Sequence, residues 1–403
     1  MINFFKLKYL IYISFFVNIN SVFYRAIIAF FLSFCIAFIL YKKIICWNRK
    51  NSIIGEKIRD LGLFGQKEKE GTPTMGGLVI IFSTLIPTIF LSTLNNVYVF
   101  MLIITTLYMG CIGFIDDYIK IKHNKKGLSI MGKIFSQILL GIFIGITMYF
   151  NTNISIQEQK IESKNSHFLK KKEYGFKTTI PIISSIYHNN EFNYAYLLSW
   201  YNQKWKKYAW IVFIPIVIVI ITFLSNGANL TDGIDGLTAG ISSIIFATLS
   251  LLSIISSNKI YSSYFHFIYI PHIKEIIIFS FSFLGSLISF LWYNTYPAQI
   301  FMGDTGSLTI GGVIATLAII NRKELILPIL CGIFFIENIS VIMQILYFRY
   351  SKKKYGIGKR IFLMAPLHHH FQKLGYHENK IFNRFIIIQM MLSMLVFILL
   401  INK

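Results

Sequence analysis

The sequence predicts an all-α polytopic membrane protein with about ten transmembrane helices. Three observations support this fold class: hydrophobic residues make up 55% of the 403-residue chain, charged residues make up only 14%, and the mean hydropathy is +0.61. Because a soluble domain carries about 25% charged residues, the composition excludes a soluble globular enzyme. It also excludes a disordered protein, a collagen and a disulfide scaffold.

Ten stretches of the chain are apolar enough to be transmembrane helices, each of which needs about 20 mostly apolar residues. They lie near residues 25–41, 76–94, 97–115, 131–150, 208–224, 237–256, 275–293, 307–321, 325–348 and 382–400. The eighth stretch is short and rich in glycine. Apolar residues continue beyond residue 20 without a small-x-small cleavage site, which argues against a signal peptide. We therefore predict an interfacial leader over residues 1–24 and a single transmembrane domain over residues 25–403.

The distribution of basic residues predicts which side of the membrane each loop faces. Ten spans put both termini on one side, and taking that side as the outer one leaves 22 Lys and Arg in the inner loops. The outer segments hold 17, of which 9 lie in the long loop 151–207. Long loops cross membranes largely regardless of their charge, so the short loops decide. We predict that both termini are periplasmic, that 151–207 is an external insertion, and that 42–75, 116–133 and 349–384 are cytoplasmic.

The net charge of +22 would suggest a nucleic-acid partner if the protein were a soluble domain. Here a membrane explains the charge better, because inner loops concentrate Lys and Arg. We therefore predict the lipid bilayer as a partner and no nucleic acid. The four cysteines occur singly, without a CxxC or CxxH pair, so the sequence predicts neither a zinc site nor a disulfide framework.

All six aspartates lie in predicted inner loops or at the inner ends of predicted spans. They are Asp60, Asp116, Asp117, Asp232, Asp235 and Asp304. Carboxylates at the edge of a membrane are costly and usually mark function. This one-sided distribution predicts an active site on the cytoplasmic face.

The motif at residues 113–120 contains two adjacent aspartates, Asp116 and Asp117. On a helix their side chains project about 100° apart, so one can face a site while a neighbour holds the other. A plain helix end is a poor explanation, because acidic residues are disfavoured at a helix C-terminus. We therefore interpret this pair as functional.

The motif at residues 226–236 places Asn226, Asn229, Asp232 and Asp235 three positions apart. At this spacing we predict that they share one helical face. Glycines between them allow a ligand to approach the backbone closely. The side-chain oxygens suit Mg²⁺, and the amides suit sugar or base hydroxyls. A turn-rich connector would use the same residue types without such regular spacing.

Two further motifs rich in glycine precede predicted spans. In residues 69–77, Lys69 and Thr74 flank a turn whose threonine hydroxyls can contact a ligand. A helix start with threonine caps is the alternative. In residues 301–308, Asp304 opens the eighth span, where free N–H groups attract phosphate. There Asp304 either caps the helix or holds a metal ion beside that phosphate.

Residues 364–372 contain three consecutive histidines, His368, His369 and His370. Three neighbours on the chain cannot all face one point, which argues against a three-histidine zinc site. Together with nearby basic residues they indicate a phosphate or diphosphate substrate. Glu337, inside the ninth predicted span, is interpreted as a brace between helices.

Taken together, the five motifs resemble those of the phospho-N-acetylmuramoyl-pentapeptide-transferases, a family within the polyprenyl-phosphate N-acetylhexosamine-1-phosphate transferase superfamily. The stretches GTPTMGG, DDYxK, NxxNxTDGxDGL, GDTGSL and APLHHHF occur in the order of that family. The last of them separates this branch from its relatives. The resemblance runs from about residue 25 to about residue 400, interrupted by the loop 151–207.

The resemblance implies a ten-span bundle in the bacterial inner membrane, commonly a homodimer, with its active site on the cytoplasmic face. It implies transfer of phospho-N-acetylmuramoyl-pentapeptide from UDP-N-acetylmuramoyl-pentapeptide to undecaprenyl phosphate, with Mg²⁺ as cofactor. The products would be UMP and lipid I, the first lipid-linked peptidoglycan precursor.

The resemblance also implies roles for individual residues. Catalytic roles fall to Asp116, Asp117, Asp304 and His368. Of these, Asp304 and Asp117 would lie at the metal, and Asp116 would be a base or a covalent nucleophile. Substrate binding falls to Lys69, Thr74, Lys133, Asn226, Asn229, Asp232, Asp235, Asn294, Phe301, His369 and His370. Lys69, Asp235, Asn294 and Phe301 would line the uridine pocket.

The chain departs from the family pattern in two places. Gln372 stands where an acidic residue usually follows the histidines, and the loop 151–207 is long. Three alternatives remain for the function. A sister N-acetylglucosamine-1-phosphate transferase would share the aspartates but not the triple-histidine loop. A transporter would place its sites near the bilayer midplane with repeat symmetry, and a nonenzymatic scaffold would leave five polar motifs unexplained.

Overall fold

The computed structural model describes residues 21–51, 69, 71–122, 127–154, 156–157, 172–173, 177–179, 191–199, 202–265 and 267–401. Most of the predicted leader, together with Asp60, lies outside these residues. Within them the chain forms fourteen α-helices and four strands of two or three residues. The prediction of an all-α polytopic fold is therefore confirmed.

The membrane-length helices follow the order of the predicted spans. In chain order the helices are α1 (Val22–Asn51), α2 (Gly77–Leu91), α3 (Val97–Lys122), α4 (Ile130–Phe150), α5 (Ala195–Ser199), α6 (Trp210–Thr231), α7 (Leu237–Ser257), α8 (Lys259–Tyr264), α9 (Ile276–Asn294), α10 (Gly303–Ile320), α11 (Leu327–Leu330), α12 (Gly332–Tyr355), α13 (Leu367–Lys373) and α14 (Glu378–Ile401). Nine helices in the described part of the chain are long and apolar enough to cross a membrane: α1, α3, α4, α6, α7, α9, α10, α12 and α14. With α2 they correspond to the ten predicted spans.

Two of these spans differ from their predicted extent. Helix α2 has 15 residues, which is about 22 Å of helix and less than the roughly 30 Å apolar core of a bilayer. The predicted span 325–348 is interrupted at Cys331, which separates α11 from α12. Cys331 has φ −98° and ψ 28°, so its backbone leaves the helical region there.

Helix α10 is the centre of the bundle. Other parts of the protein bury 89% of its apolar window, and it packs against α3 on one side and α6 on another. Gly113 of α3 permits the first of these contacts, because a Cβ atom there would clash with the backbone of Asp304 and Thr305. Small residues at such crossings let helix backbones approach closely. The N-terminus of α10 therefore lies directly against the acidic motif of α3.

The described parts of the 151–207 insertion contain two small antiparallel ladders. Strands β1 (Ile156–Gln157) and β2 (Lys172–Glu173) pair with each other, as do β3 (Lys177–Thr179) and β4 (Glu191–Asn193). The Thr179 amide donates to the Arg322 carbonyl at 3.1 Å, just beyond the C-terminus of α10. The 18 residues of α10 span about 27 Å. This contact therefore lies at the opposite end of the bundle from Asp304.

Candidate active site

Asp117 caps the N-terminus of α10. Its Oδ1 accepts from the Asp304 amide at 3.0 Å, and its Oδ2 accepts from the Thr305 amide at 2.9 Å and the Thr305 hydroxyl at 2.7 Å. Gly303 permits this contact: its φ is +72°, and a Cβ atom there would lie 2.5 Å from Asp117 Oδ2. The sequence left open whether Asp304 caps this helix, but the cap comes from α3. The partial positive charge of the helix N-terminus stabilises the Asp117 carboxylate.

Two lysines connect Asp116 with Asp304. Lys120 Nζ lies 2.7 Å from Asp116 Oδ2 and 2.8 Å from Asp304 Oδ1. Lys133 Nζ, at the start of α4, lies 3.0 Å from Asp116 Oδ2 and 2.5 Å from Asp304 Oδ2. Asp116 Oδ1 accepts from the Leu128 amide at 2.6 Å. These side chains form one ionic network where α3, α4 and α10 meet.

The carboxylates of this network could bind a metal ion. Asp116, Asp117 and Asp304 each offer one oxygen, and these oxygens all lie within 4.8 Å of one another. Carboxylate oxygens are the hard ligands that Mg²⁺ prefers. The ammonium groups of Lys120 and Lys133 offset part of the negative charge without supplying a competing ligand. The donor set therefore suits a divalent cation, and it contains both predicted metal ligands.

The motif at residues 226–236 does not form one helical face. Helix α6 ends at Thr231, and Asp232 and Asp235 lie in the turn that leads into α7. Gly236 in this turn has φ +77°, a conformation that a helix cannot contain. The prediction of a shared helical face is therefore wrong, because the helix ends before Asp232, whose φ of −77° and ψ of 50° are not helical.

The two asparagines that remain on α6 bind neighbouring helices. Asn226 Nδ2 donates to Gln137 Oε1 of α4 at 2.9 Å, and Asn229 Nδ2 donates to Ser307 Oγ of α10 at 3.0 Å. Both amides thus hold α6 against α4 and α10, the helices that supply Lys133 and Asp304 to the ionic network.

Asp232 lies next to the acidic cluster and has an unusual protonation equilibrium. Burial, followed by the negative charges of neighbouring aspartates led by Asp304, raises the pKa of Asp232 to about 8. The side chain is therefore mostly protonated at neutral pH and can donate a hydrogen bond. A cation bound nearby would favour the ionised form again.

Lys69 joins two carboxylates from distant parts of the chain. Its Nζ lies 2.7 Å from Asp235 Oδ1 and 2.6 Å from Glu378 Oε2 at the start of α14. Burial opposes the charged ammonium, but the two carboxylates outweigh burial and raise the pKa of Lys69. Asp235 Oδ2 also accepts from the Ala298 amide at 3.0 Å. This group therefore fixes the loop between α9 and α10.

Backbone hydrogen bonds join that loop to the 69–77 motif. The Phe301 amide donates to the Pro73 carbonyl, and the Gly76 amide donates to the Phe301 carbonyl, both at 2.8 Å. The Phe301 side chain is half-buried. Thr74 Oγ1 is buried and has no hydrogen-bond partner among the described residues. Two predicted substrate contacts, Thr74 and Phe301, therefore lie on two segments that these backbone hydrogen bonds hold together.

Asn294 anchors the start of the same loop. Its Oδ1 accepts from the Gly236 amide at 2.9 Å, and its Nδ2 donates to the Ile300 carbonyl at 2.8 Å. Both polar groups of Asn294 are thus engaged within the protein, which makes loop positioning its observed role.

The histidine motif forms the short helix α13, so successive rings point in different directions. Glu337 of α12 holds its start, since Oε2 accepts from the Leu367 amide at 2.7 Å and Oε1 accepts from the His368 amide at 3.2 Å. His368 Nδ1 lies 3.3 Å from Glu337 Oε1. His368 Nε2 is buried without a hydrogen-bond partner in the described part of the chain. Glu337, interpreted from sequence as a brace between helices, thus also orients the loop of His368.

The other two histidines bind different neighbours. His369 Nδ1 lies 2.6 Å from Gln372 Oε1, and its ring packs against that of His368 with 4.2 Å between centroids. His370 Nδ1 accepts from the Leu363 amide at 3.2 Å and so faces its own loop. Burial is the largest factor that lowers the pKa of His369, to about 4, and this ring is therefore neutral at pH 7.

Two residues of the site, Lys120 and Glu378, were not assigned an individual role from the sequence. Lys120 follows Asp116 by four residues on α3, and this spacing of opposite charges was a usable signal. Glu378 offered no such signal, because it meets Lys69 only through the packing of α14 behind the histidine loop.

Comparisons with known proteins agree with this architecture. The profile of Glycosyl transferase family 4 matches residues 99–322, and phospho-N-acetylmuramoyl-pentapeptide-transferase signature 1 matches residues 69–81. The chain is 51% identical over 379 residues to a phospho-N-acetylmuramoyl-pentapeptide-transferase of Flavobacterium psychrophilum, covering 92% of this chain and 91% of that protein. Proteins of the same name from Flavobacterium johnsoniae (50%) and Amoebophilus asiaticus (51%) match over 92% of both chains.

The family profile covers more than half of the chain, and the bundle of membrane-length helices agrees with it. The protein is thus a multi-pass bacterial membrane protein of the glycosyl transferase family 4 class. About half of the aligned residues are shared with the named relatives across nearly their whole length. The chain belongs to the phospho-N-acetylmuramoyl-pentapeptide-transferase family.

Proposed function

We propose that the protein transfers phospho-N-acetylmuramoyl-pentapeptide from UDP-N-acetylmuramoyl-pentapeptide to undecaprenyl phosphate, yielding lipid I and UMP. One observation carries the proposal: Asp116, Asp117 and Asp304 meet beside two lysines at the N-terminus of the central helix. A site with clustered carboxylates for a cation and ammonium groups for phosphates suits a reaction between two anionic substrates.

In the proposed reaction, an oxygen of the lipid phosphate attacks the sugar-linked phosphorus of the nucleotide. A new P–O bond forms, the bond from that phosphorus to the bridging oxygen breaks, and UMP leaves with the electron pair. Asp116 is the proposed base for the lipid phosphate, and a covalent role for the same carboxylate is the alternative. Lys120 and Lys133 lie next to Asp304, where their ammonium groups would stabilise the charge of the diphosphate.

We assign Mg²⁺ to the acidic cluster, with Asp117 and Asp304 as its ligands. When bound there, the ion would act as a Lewis acid on the diphosphate. The cap that Asp117 makes on α10 holds its carboxylate in one orientation beside Asp304. The protein's own contribution is therefore a set of oxygens fixed before any ligand binds.

We assign the remaining substrate contacts from the positions of their residues around the acidic cluster. Lys69, Asp235 and Phe301 form the proposed uridine pocket with Asn294 as its support. His368 Nε2 lies against Gly233, in the turn that carries Asp232. Contacts with the diphosphate or sugar are proposed for Thr74, Asn226, Asn229, Asp232, His368, His369 and His370.

We also propose that the Asp304 end of the bundle faces the cytoplasm, with both termini on the outer side. Basic residues concentrated in the loops 42–75, 116–133 and 349–384 support this orientation. Residues 25–403 would then be one transferase domain that associates as a homodimer, and the insertion 151–207 would be external.

The test is UMP release by the purified full-length protein in detergent, with both substrates and either Mg²⁺ or EDTA. Mg²⁺-dependent release from the muramoyl donor, lost in Asp304→Ala, is the expected result. UDP-N-acetylglucosamine serves as the competing donor, and turnover of it alone would assign the protein to the sister transferases. No UMP from either donor, from protein that remains folded, would overturn the proposal.

A further inference from the structure

Gln372 links one histidine of the site to a distant ion pair. His369 Nδ1 lies 2.6 Å from Gln372 Oε1, and Gln372 Nε2 donates to Glu378 Oε1 at 3.1 Å. The other oxygen of Glu378 lies 2.6 Å from Lys69 Nζ. An uninterrupted chain of hydrogen bonds therefore runs from Lys69 to His369.

The direction of every hydrogen bond in this chain is determined by its charged end. A Glu378 carboxylate paired with the Lys69 ammonium can only accept, so the NH₂ group of Gln372 must face it. The amide oxygen of Gln372 must then face His369, and an amide oxygen also only accepts. The proton of the imidazole must therefore lie on Nδ1.

We propose that Gln372 is a positioning residue, which holds His369 as a neutral imidazole whose Nε2 offers a lone pair to an N–H or O–H group of the nucleotide–sugar substrate. This inference rests on the proposed function, because it names the role of one side chain in that substrate site. It assigns His369 to recognition of a donor group and leaves charge neutralisation of the diphosphate to lysines.

The surroundings of His369 favour the neutral ring. The groups that face it are His368 on the same helix, Lys69, Glu378 through Gln372, and the backbone of Gly233. Burial, the neighbouring His368 ring and the positive charge of Lys69 all oppose a second proton. The Gln372 amide stands between the ring and the Glu378 carboxylate.

A glutamate at position 372 would reverse this arrangement. Its carboxylate would lie about 3 Å from Glu378 and about as close to His369. Two adjacent carboxylates raise each other's proton affinity, and a carboxylate in contact with an imidazole favours the imidazolium. The Q372E protein would thus draw a second proton onto His369, and Nε2 would become a hydrogen-bond donor.

The first test measures the tautomer directly. Full-length protein with ¹⁵N-labelled histidine is examined by NMR in detergent, and the His369 signals are assigned by their loss in His369→Gln. We expect a protonated Nδ1 and an unprotonated Nε2 throughout the range from about pH 6 to about pH 8 in the unmodified protein, whereas in Q372E Nε2 should gain a proton as the pH falls from about 8 to about 6. An unprotonated Nδ1 in the unmodified protein would overturn the inference.

The second test separates substrate binding from a structural effect. In Q372E, KM for the nucleotide–sugar should rise about threefold to tenfold between about pH 8 and about pH 6, the worth of one hydrogen bond. Its kcat should follow the pH profile of the unmodified protein. The control N379D adds the same charge on the exposed residue after Glu378 and should leave KM independent of pH in this range.

The outcomes of the two tests are distinguishable from failure of the proposed function. Coincident pH profiles of KM for Q372E and the unmodified protein would overturn the role of Gln372 while UMP release continues. If the unmodified protein releases no UMP, the proposed function fails, and the NMR measurement still decides the tautomer.

Discussion

The two ends of α10 both place charged side chains inside the protein, but they do so in different ways. At one end, charges from α3, α4 and α10 keep part of their surface open: the side chain of Lys120 is 22% exposed and that of Asp304 is 13% exposed. At the other end, Lys323 is 1% exposed. Its Nζ donates to Thr179 Oγ1 at 2.6 Å and lies 4.0 Å from the centre of the Phe267 ring.

We call the Asp304 end of α10 the open end and the Lys323 end the closed end. Some of the residues that contact the buried charges at the closed end come from the 151–207 insertion. Glu324 Oε1 accepts from the hydroxyl of Tyr194 at 2.9 Å, and burial raises the pKa of Glu324. The insertion thus covers polar groups that the bundle alone would leave at its surface. Buried charge therefore does not by itself identify a functional site. Access for a ligand, together with opposite charges brought from several motifs, distinguishes the Asp304 end.

The largest difference is expected when a carboxylate is replaced by the corresponding amide at each end of α10. Asp304→Asn removes a carboxylate that Lys120 and Lys133 share and that the proposed metal site requires. We expect UMP release per folded molecule to fall by roughly 100-fold or more. The matched control is Glu324→Gln at the other end of α10. It should retain UMP release within about twofold, because a substitution at a buried position away from the candidate active site affects stability rather than catalysis. Equal losses in the two variants would remove the functional difference between the ends.

Lys323→Met tests the closed end. The substitution keeps the apolar stem but removes the hydrogen bond to Thr179 and the cation–π contact with Phe267. We expect a loss of about 2 kcal/mol in the free energy of unfolding, measured by thermal unfolding in detergent, with unchanged UMP release per folded molecule. The counterpart Lys133→Met should instead reduce UMP release. A catalytic defect in Lys323→Met would contradict the assignment of this end to stability.

Glu337→Gln tests how the open end positions its histidine loop. One oxygen that accepts from the Leu367 or His368 amide becomes an NH₂ group, so a buried N–H loses its acceptor. We expect kcat to fall roughly tenfold, as measured by initial rates of UMP release. Glu275→Gln breaks a 2.7 Å ion pair with Arg25 far from the histidine loop and should leave kcat unchanged. If both variants lose activity alike, positioning by Glu337 is not specific.

The last expected effect is a pH dependence of stability. The pKa of Asp232 in the folded protein, about 8, lies above its ordinary value of about 4. Between these values the folded state binds more protons than the unfolded state, so this contribution to stability falls as the pH rises. In Asp232→Asn the midpoint of thermal unfolding should therefore fall less between about pH 5 and about pH 8. Parallel curves for the two proteins would show that Asp232 does not titrate in this window.

The membrane helices could be predicted because the signal is local. Ten apolar stretches in the sequence became nine membrane-length helices and the shorter α2, since each helix satisfies its own backbone hydrogen bonds. The break at Cys331 was not predicted, although Pro328 and Gly332 flank it and both residue types interrupt helices. The helical face predicted for residues 226–236 was wrong because α6 ends at Thr231 and Asp232 leaves the helical conformation, although the three-residue spacing of polar residues continues.

The residue types of the site could also be predicted from the sequence, but the contacts between these residues could not. The aspartates, the histidines and Lys69 stood out in their motifs. That Asp117 caps α10, that Lys120 and Lys133 share Asp304, and that Glu378 completes the Lys69 group depend on contacts between residues far apart in the chain. Such contacts exist only once the helices have packed.

By itself, then, the sequence determined the membrane class, the order of the spans and the residue types at the site, because hydropathy and motif composition are properties of short segments. Only the tertiary structure decided which of the charged ends is open and which is closed, and which partner each ionisable group finds. The physical reason is that pairing and desolvation depend on distances between atoms, and those distances are set by how closely helices such as α3 and α10 can approach at their glycines.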